Sequence, residues 1–584
     1  MQSAADAGDA AALLAAVPAG RRVALVDPRF VGHLHALRLA LTDPRFPAAT
    51  VTGALTAQPE ARGALLRALH RTTAAVGAGA PVVDPDTDPA PEDRTVPGRI
   101  AVALEAEGVA VQRPALGSLV AAVPTGPEQE AAAVAGLTSV DDEAVRLRSA
   151  VKAHDGFFTT FAISPYSRYI ARWCARRGLT PNQVTTASLI TALIAAGGAA
   201  TGTRGGYIAA GILLLVSFVL DCTDGQLARY SLQYSTMGAW LDATFDRAKE
   251  YAFYAGLAIG AVRGGDDVWT LALGAMVLQA CRHVVDFSFN EANHDAVANT
   301  SPTAALSDRL DSVGWTVWAR RMIVLPIGER WAMIAVLTAF TTPRTVFYAL
   351  LVGCSLAACY TTAGRLLRSL TRRAERTDRA ARALADLADS GPLAQGVAAV
   401  APGLRGAFTA PAAALLGALA MIGSALFLPY GSWLTVAAAG VYVILSGLAV
   451  ARPLKGALDW LVPPFFRAAE YVTILVLAAR SDVPHAVPAA FGLVSAVAYH
   501  HYDTVYRIRG GTGAPPQWLV RTIGGHEGRT ALVAVLAAVL THASGFTTAL
   551  TALAVAVALV VLVESIRFWV SSSAPAVHDE GELA

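Results

Sequence analysis

The sequence predicts an all-α polytopic membrane protein made of two six-helix bundles, preceded by a small soluble α/β domain. Composition is the first reason, because 54% of the 584 residues are hydrophobic and only 15% are charged, which is typical of chains that cross a bilayer repeatedly. The second is that apolar stretches long enough to span a membrane recur from residue 183 onwards. The third is length, which exceeds that of one compact domain.

Residues 1–150 are expected to form the soluble domain. Apolar runs predict two strands and helical periodicity predicts three helices: Arg22–Asp27 and Leu119–Val123, then His33–Leu41, Gln58–Val76 and Ile100–Glu107. A catalytic nucleotide-binding domain would need a glycine-rich phosphate loop, and Gly77-Ala-Gly79 lacks its spacing and its basic residue. The sequence therefore favours a regulatory, partner-binding or degenerate domain over a catalytic one.

Residues 152–182 form a basic segment ahead of the first span. Four residues share one helical stripe beside several arginines: Tyr166, Tyr169, Ile170 and Trp173. Such a stripe is typical of an amphipathic helix on an anionic membrane surface, although a helix packed in the ordinary way explains it equally well. Thr180-Pro181-Asn182 then predicts the start of the first membrane helix.

Twelve apolar stretches follow, six in each half of the chain. Those of the first bundle, residues 183–364, are about 183–201, 206–227, 238–261, 267–287, 329–341 and 345–363. Those of the second bundle, residues 405–570, are about 406–427, 432–451, 456–479, 484–500, 529–541 and 546–567. A charged helical linker, 365–404, is expected between the bundles, and residues 571–584 are a tail.

One short run in the first bundle concentrates carboxylates. Asp221 and Asp224 share one helical face, Asp242 and Asp246 share another, and the polar stretch 230–237 is expected to fold the two pairs together. Carboxylates that converge at low dielectric stay ionised only with cations between them. An all-oxygen set favours Mg²⁺ or Mn²⁺ over zinc, and such ions commonly hold substrate phosphates.

A solvated, salt-bridged helix–loop–helix would also place acids at these spacings. The apolar segment before the acids, 211–220, argues against that alternative. Acids at membrane depth are costly and are expected to be functional.

The pattern D-x-x-D-G-x-x-A-R-x8-G-x3-D-x3-D stands here without departure, from Asp221 to Asp246. It resembles the signature of the CDP-alcohol phosphotransferases (CDP-alcohol phosphatidyltransferases), a membrane family, and the resemblance covers about residues 155–370. A match at every fixed position is far more specific than an ordinary short motif. The resemblance implies a six-helix membrane fold with a two-metal site near the cytosolic face. The implied reaction is attack of an alcohol on a CDP-linked donor, with release of CMP.

The resemblance also implies roles for individual residues. Asp221, Asp224 and Asp242 correspond to ligands of two Mg²⁺ or Mn²⁺ ions. Asp246 corresponds to the last acid of the motif, which in the family also lies at the metals and is the general base. The implied CDP-binding set is Asp221, Asp224, Gly225, Ala228, Arg229 and Gly238, together with Thr185.

Four basic residues are candidates for the acceptor site: Arg282, Arg320, Arg321 and Lys249. Arg320 and Arg321 lie in the long polar segment 288–328, which is expected to cover the active site. Each candidate has an ordinary alternative, since such residues also anchor the positive inner side of a membrane protein or cap helix ends.

Arginines gather on the membrane side that carries the motif, so the motif and the N-terminal domain are expected in the cytosol. High alanine, arginine and glycine content is typical of GC-rich bacterial genomes, and we expect the bacterial inner membrane. The expected partners are the CDP-linked donor, an alcohol acceptor, membrane lipid and a second copy of the chain in a homodimer. Nucleic acid is not expected, and the net charge of +2 gives no other indication of partners.

The second half repeats details of the first in the same order. Three segments are echoed: Arg247-Ala-Lys-Glu250-Tyr251 by Arg467-Ala-Ala-Glu470-Tyr471, His283-Val-Val-Asp286 by His500-His-Tyr-Asp503, and Ile327-Gly-Glu-Arg330 by Glu527-Gly-Arg529. These echoes predict an internal duplication, against chance similarity among alanine- and valine-rich helices. Because the second copy has Ala451-Arg452-Pro453 in place of the motif, with Asp459 near the expected position of Asp242, it is expected to hold no metals.

The favoured function is transfer of a phosphoalcohol group, by default from CDP-diacylglycerol, in phospholipid or polyol phosphodiester synthesis. The stretch Lys152-Ala-His-Asp155-Gly-Phe is loosely similar to bifunctional family members that join inositol units. It adds CDP-inositol as a donor and inositol phosphate as an acceptor. A non-enzymatic scaffold or transporter-like pair of bundles is the remaining hypothesis, and the complete acid motif argues against it.

Overall fold

The structure is a computed structural model that describes residues 3–4, 7–77, 95–152, 155–294, 297–300, 323–371, 373–401, 403, 406, 408–541 and 544–571. Helices dominate these residues, and strands occur in the N-terminal domain and in one short pair formed by Val297–Thr300 and Arg373–Glu375. The predicted class, an all-α polytopic membrane protein with a small N-terminal α/β domain, is confirmed.

The N-terminal domain packs helices on a small mixed sheet. Its helices are α1 (Ala7–Ala16), α2 (Leu34–Leu41), α3 (Arg62–Gly77), α4 (Val96–Ala106), α5 (Pro127–Ser139) and α6 (Asp142–Ser149). Its strands are β1 (Val23–Val26), β2 (Val31–Gly32), β3 (Ala48–Val51), β4 (Ala54–Ala57), β5 (Val111–Gln112) and β6 (Ala121–Ala122). The main sheet has the order β1-β4-β3-β5, with β3 and β5 parallel, and β2 pairs with β6.

The hairpin formed by β3 and β4 is absent from the sequence predictions. Its strands contain several alanines, which have low strand propensity, so their pattern gives little signal. Gly53, with a φ of 81°, supplies the left-handed residue of the two-residue turn. Both strands are buried, and Leu55 packs in the domain core with Leu65 and Leu69 of α3.

The first bundle follows a juxtamembrane helix. Its elements are α7 (Ser164–Arg176), α8 (Pro181–Ala200), α9 (Arg204–Ser231), α10 (Thr236–Arg263), α11 (Trp269–Asn293), α12 (Ile327–Phe340) and α13 (Pro343–Thr371). Thr180 starts α8 through a capping box with Gln183. Gly256 and Gly260 of α10 lie so close to carbonyl oxygens of α8 that an added Cβ would overlap them. These glycines therefore allow α8 and α10 to pack closely.

Helix α7 directs its aromatic stripe outward. Tyr166, Tyr169 and Trp173 are each about half exposed, whereas Ala171 and Cys174 are buried against the bundle. Arginines stack on the exposed rings. This arrangement fits the interfacial helix better than the packed one, because its apolar stripe faces away from the protein.

The segment expected as one helical linker is divided. Helix α13 runs on to Thr371, and a short strand, β8 (Arg373–Glu375), pairs with β7 (Val297–Thr300) before α14 (Asp378–Ala388) and α15 (Pro392–Val400). Leu384 and Leu387 of α14 are fully buried. Helix α14 therefore belongs to the packed core rather than to a solvated linker.

The second bundle again has six long helices. They are α16 (Thr409–Phe427), α17 (Trp433–Val450), α18 (Val462–Ala479), α19 (Ala486–Arg509), α21 (Gly525–Val539) and α22 (Gly545–Ser571), with a short α20 (Gln517–Thr522) before α21.

Seven helices of the described residues, rather than twelve, are long and apolar enough to cross a membrane by length and composition: α8, α9, α13, α16, α17, Asp459–Ala479 and α22. The difference has two physical reasons. Helices α12 and α21 have only 14 and 15 residues, which is short of a full span. Helices α10, α11 and α19 carry buried polar and charged side chains that lower their hydropathy.

Asp389, at the end of α14, neutralises buried charge inside the second bundle. It is 4% exposed, and its carboxylate lies 3.0 Å from Arg467 Nη2, 2.8 Å from Arg529 Nη2 and 3.0 Å from His500 Nε2. Burial alone would raise the pKa of Asp389, but the surrounding cations hold that pKa well below its usual range. The carboxylate is therefore an anchor between α14 and the bundle.

We expect Asp389→Ala to destabilise the protein by about 3–5 kcal/mol, because it leaves two buried guanidinium groups, those of Arg467 and Arg529, with only the Glu470 carboxylate between them. The measurement is thermal unfolding of the detergent-purified chain. Asp378→Ala is the control, since this aspartate is 80% exposed and pairs with Lys455 at the surface. That change should alter stability by no more than about 1 kcal/mol. Equal melting shifts for the two variants would contradict the anchoring role.

Candidate active site

Helices α9 and α10 bring the predicted acids together. Asp221 and Asp224 lie in the C-terminal half of α9, and Asp242 and Asp246 lie in the first three turns of α10. One carboxylate oxygen from each of Asp221, Asp242 and Asp246 lies within 4.8 Å of the other two. Among the described residues, this is the one group of acids, histidines or cysteines with the geometry to hold a metal ion.

The turn between the two helices sets how the acids meet. Leu232 ends α9 in the left-handed region, with a φ of 55°, and its N–H donates to the Ala228 carbonyl. Ser235 caps α10 by accepting a hydrogen bond from the Gly238 N–H. A Cβ on Gly238 would lie 2.8 Å from Asn182 Oδ1, so the starts of α8 and α10 are in close contact. A larger residue in place of the motif glycine would therefore require the side chains of Asn182 and Ser235 to shift.

Asp224 lies beside the three-acid group and is more deeply buried, with 4% of the residue exposed. The side chain of Thr185, from the predicted nucleotide set, lies next to its carboxylate. Asp224 Oδ2 is buried and has no hydrogen-bond partner in the described part of the chain. Because an unpartnered buried carboxylate oxygen is costly, this atom could accept a cation or a hydrogen-bond donor from outside the chain.

Lys249, a predicted acceptor residue, is enclosed within the acids instead. Its side chain is 1% exposed, and its ammonium pairs with Asp221 and, at 2.8 Å, with Asp246 Oδ1. It also donates to Ser188 Oγ at 3.2 Å. The chain therefore supplies one cation of its own to the carboxylate group, which the helical spacing of Asp246 and Lys249 alone does not reveal.

The motif arginine is held by the N-terminal domain. Arg229 Nε donates to the Ala150 carbonyl at 2.6 Å, and its guanidinium nitrogens lie 3.5 Å from the position that a Cβ on Gly225 would take. The hydroxyl of Tyr230 donates to Glu143 of α6 at 2.8 Å. Helix α6 therefore docks on the end of the motif helix, a contact that sequence reasoning does not find.

A buried ionic triad lies one turn beyond the acids. Arg247 Nη1 is 2.7 Å from Glu250 Oε2, and Arg330 Nε of α12 is 3.2 Å from Glu250 Oε1. The Tyr254 hydroxyl also donates to Glu250, at 2.8 Å. The triad fixes α10 to α12, and a local pattern cannot find it because Arg330 is distant in sequence.

Of the other acceptor candidates, Arg320 and Arg321 lie outside the described residues. Arg282 is 7% exposed, and its Nη2 donates to the Val324 carbonyl. Its Nε and Nη1 are buried without hydrogen-bond partners in the described part of the chain. A buried guanidinium with unused N–H groups is suited to an anionic ligand.

Two family models match separate parts of the chain. Residues 178–342 match the CDP-alcohol phosphatidyltransferase family. Residues 378–584 match a family of unknown function, DUF5941. The first match contains all four acids of the motif, and the second begins at the buried helix α14.

The chain is also similar to curated proteins. It is 32% identical over 113 residues to the archaetidylinositol phosphate synthase of Pyrococcus horikoshii, covering 19% of this chain and 58% of that protein. It is 32% identical over 127 residues to the phosphatidylinositol phosphate synthase of Streptomyces avermitilis, covering 20% and 50%. It is 32% identical over 118 residues to the bifunctional IPC transferase and DIPP synthase of Aquifex aeolicus, covering 19% and 26%.

The chain thus spans 26–58% of the length of these relatives. The motif and its converging acids lie within the residues that match the family model, 178–342. Residues 178–342 of this chain are a domain of the CDP-alcohol phosphatidyltransferase family.

Proposed function

We propose that the chain is a phosphotransferase that moves a phosphoalcohol group from a CDP-linked donor to an alcohol acceptor and releases CMP. The observation that carries the proposal is the convergence of Asp221, Asp242 and Asp246 within 4.8 Å, next to Asp224. The family match of residues 178–342 supports the same reaction class.

The four acids are proposed to hold two Mg²⁺ or Mn²⁺ ions. Their donors are all carboxylate oxygens, which hard divalent cations prefer, and Asp224 Oδ2 has no partner among the described residues. When bound, such ions supply charge neutralisation for the donor's diphosphate and for the departing CMP. Two ions are proposed because four carboxylates face a single ammonium, that of Lys249.

Asp246 is the proposed general base. Its side chain is 17% exposed, so a substrate hydroxyl can approach it, and the neighbouring Lys249 ammonium stabilises its carboxylate form. A carboxylate within hydrogen-bond reach of the acceptor takes the hydroxyl proton as the new phosphoester bond forms. Arg229 is the proposed contact of the diphosphate, because its guanidinium lies over Gly225, where no side chain blocks access.

The proposed acceptor is a phosphorylated polyol, with inositol phosphate as the first choice. Two of the relatives are synthases of inositol-containing phosphates by name. Arg282 supports a phosphorylated acceptor, because two of its buried nitrogens lack partners within the described residues. CDP-diacylglycerol is the proposed donor, and CDP-inositol is the alternative.

The site is proposed to face the cytosol of a bacterial inner membrane. Ala150, just beyond α6, and Glu143 of α6 contact the motif end of α9, so the soluble domain and the acids share one side of the membrane. The arginine-rich composition of that side favours the cytosol.

We expect Asp246→Asn to lower CMP release by roughly 10²–10⁴-fold, the usual contribution of a general base. The assay measures CMP from CDP-diacylglycerol and inositol phosphate with Mg²⁺ or Mn²⁺. Asp266→Asn is the control. Asp266 lies in the loop after α10, far from the acids, and pairs there with Arg344. Equal CMP release by wild type and Asp246→Asn would exclude Asp246 as the base.

Lys249→Met should tighten Mn²⁺ binding by about tenfold, or 1.4 kcal/mol, because the carboxylates lose their resident counter-ion. Calorimetric titration of the purified chain measures the dissociation constant. Lys455→Met, at a lysine 45% exposed on the second bundle, is the matched control and should change nothing. A weaker Mn²⁺ affinity in Lys249→Met would show that the ammonium supports the metal site rather than competing with it.

We expect Arg282→Gln to raise the KM for inositol phosphate by about 10- to 100-fold, from the 1.5–3 kcal/mol of a hydrogen bond to a charged group. The KM for the donor should stay unchanged. Arg344→Gln, at the opposite end of the bundle, provides the comparison. If Arg282→Gln changes the KM for neither substrate, Arg282 does not bind the acceptor phosphate.

A further inference from the structure

Residues 378–571 contain a second copy of the six-helix bundle, and we infer that this copy has lost the cation site and serves as a built-in partner that holds the acid-bearing helix α10. The inference assigns a role to the region that matches a family of unknown function. It rests on the proposed function only in treating α10 as the catalytic helix.

The buried triad occurs twice with the same atoms. In the second bundle, Arg467 Nη1 is 2.9 Å from Glu470 Oε2, and Arg529 Nε is 2.5 Å from Glu470 Oε1. Arg529 Nη2 is 3.3 Å from Glu470 Oε2, where Arg330 Nη2 is 3.4 Å from Glu250 Oε2 in the first bundle. Chance similarity among apolar helices does not produce such agreement at three atom pairs.

The helices also pack in the same pattern. The triad residues lie in the third and fifth helices of each bundle, and they set which helices correspond. Taken in chain order, α8, α9, α10, α11, α12 and α13 correspond to α16, α17, α18, α19, α21 and α22. The first of these helices contacts the second and the third in both bundles, and the second contacts the fifth. The sixth contacts the fourth and the fifth in both. The duplication therefore extends to the tertiary arrangement.

The segments before the first helix are also held alike. The Phe158 N–H donates to Glu329 Oε1 at 3.2 Å. In the second bundle, Glu527 accepts from the backbone N–H groups of Gly391 and Ala394, each at 3.0 Å. Glu329 directly precedes the triad arginine Arg330, and Glu527 precedes Arg529 by two residues. In each copy, a glutamate near the start of the fifth helix therefore accepts hydrogen bonds from the chain that enters the bundle.

The second copy has apolar side chains where the first has acids. Counted from the matched arginines, Arg247 and Arg467, Asp242 corresponds to Val462 and Asp246 to Phe466, both fully buried. Asp459 does not take the place of Asp242, because the same count pairs it with Ala239. Its carboxylate accepts a hydrogen bond from the Gly456 N–H at 2.7 Å. At the positions of Val462 and Phe466, hydrocarbon side chains therefore replace the carboxylates of α10.

The two copies meet through corresponding helices. Helix α10 contacts α19, α11 contacts α18, and α11 contacts α19. Helix α10 corresponds to α18, and α11 corresponds to α19. In each of the first two contacts, the third helix of one copy therefore meets the fourth helix of the other copy. Such reciprocity is the mark of a two-fold, self-complementary interface, here within one chain.

Two aromatic residues of the second copy contact α10, one before and one after its two acids. Trp569 stacks on Trp240, two residues before Asp242, with ring centroids 5.8 Å apart. Tyr502 lies under the Arg247 guanidinium, 5.4 Å from ring centroid to Cζ, one residue after Asp246. The second copy thus contacts α10 at both ends of the acid pair.

The first test measures Mn²⁺ binding to the full chain by electron paramagnetic resonance, without turnover. Trp569→Ala should weaken Mn²⁺ affinity by about threefold to tenfold, the size of an aromatic stacking contact. Trp433→Ala, at a tryptophan 64% exposed in the second bundle, is the matched control and should not change the affinity. Thermal unfolding first verifies that both variants are folded. Equal Mn²⁺ affinities in the two folded variants would then overturn the role of the second copy in holding α10.

The second test asks whether the partner lies in the same chain. Ser495 Oγ is 3.3 Å from Met276 Sδ across the interface, so Met276→Cys with Ser495→Cys, in a chain without its native cysteines, should crosslink within one polypeptide. A crosslinked band at the size of a dimer would overturn the built-in partner. Because neither readout requires catalysis, a failure to release CMP would refute the proposed function and leave this inference standing.

Discussion

The constraint on which the structure depends is the convergence of carboxylates inside an apolar bundle. Asp221, Asp242 and Asp246 approach within 4.8 Å, and like charges at that distance in a weakly polar medium repel strongly. The Lys249 ammonium is the positive charge of the chain that pairs with these carboxylates, and one positive charge does not neutralise all of them. A divalent cation held between the acids would supply the remaining positive charge, which is the role that the proposed function gives to this group.

The second bundle has the same helix arrangement without the converging carboxylates. Val462 and Phe466 fill the matching positions and are fully buried, while the Arg467–Glu470–Arg529 triad stays intact. Buried ion pairs are weak evidence for stability, since desolvation offsets much of their attraction. Their presence in both bundles, with the same atoms, indicates that they specify how the third and fifth helices meet.

Sequence reasoning reaches the features that depend on local spacing and on membrane cost. It predicts the fold class, the start of α8 at Thr180 and the meeting of the acids, because helical periodicity and capping are short-range rules. It does not find the partner of Glu250 in Arg330, the docking of Arg229 on Ala150 or the enclosure of Lys249, because each depends on tertiary packing between distant segments. The five helices that fall short of membrane length or hydropathy show a further limit, since apolar periodicity does not separate a buried helix from a spanning one.

Fusion of two bundles changes the physical chemistry of their association. Two separate chains would dissociate as they became dilute in the bilayer, whereas a tethered partner is present at a fixed, high local concentration. The ratio of supporting to acid-bearing bundle stays at one to one whatever the level of expression. The described residues of one chain hold a single carboxylate group of this kind, so cooperation between two such groups would require a second chain.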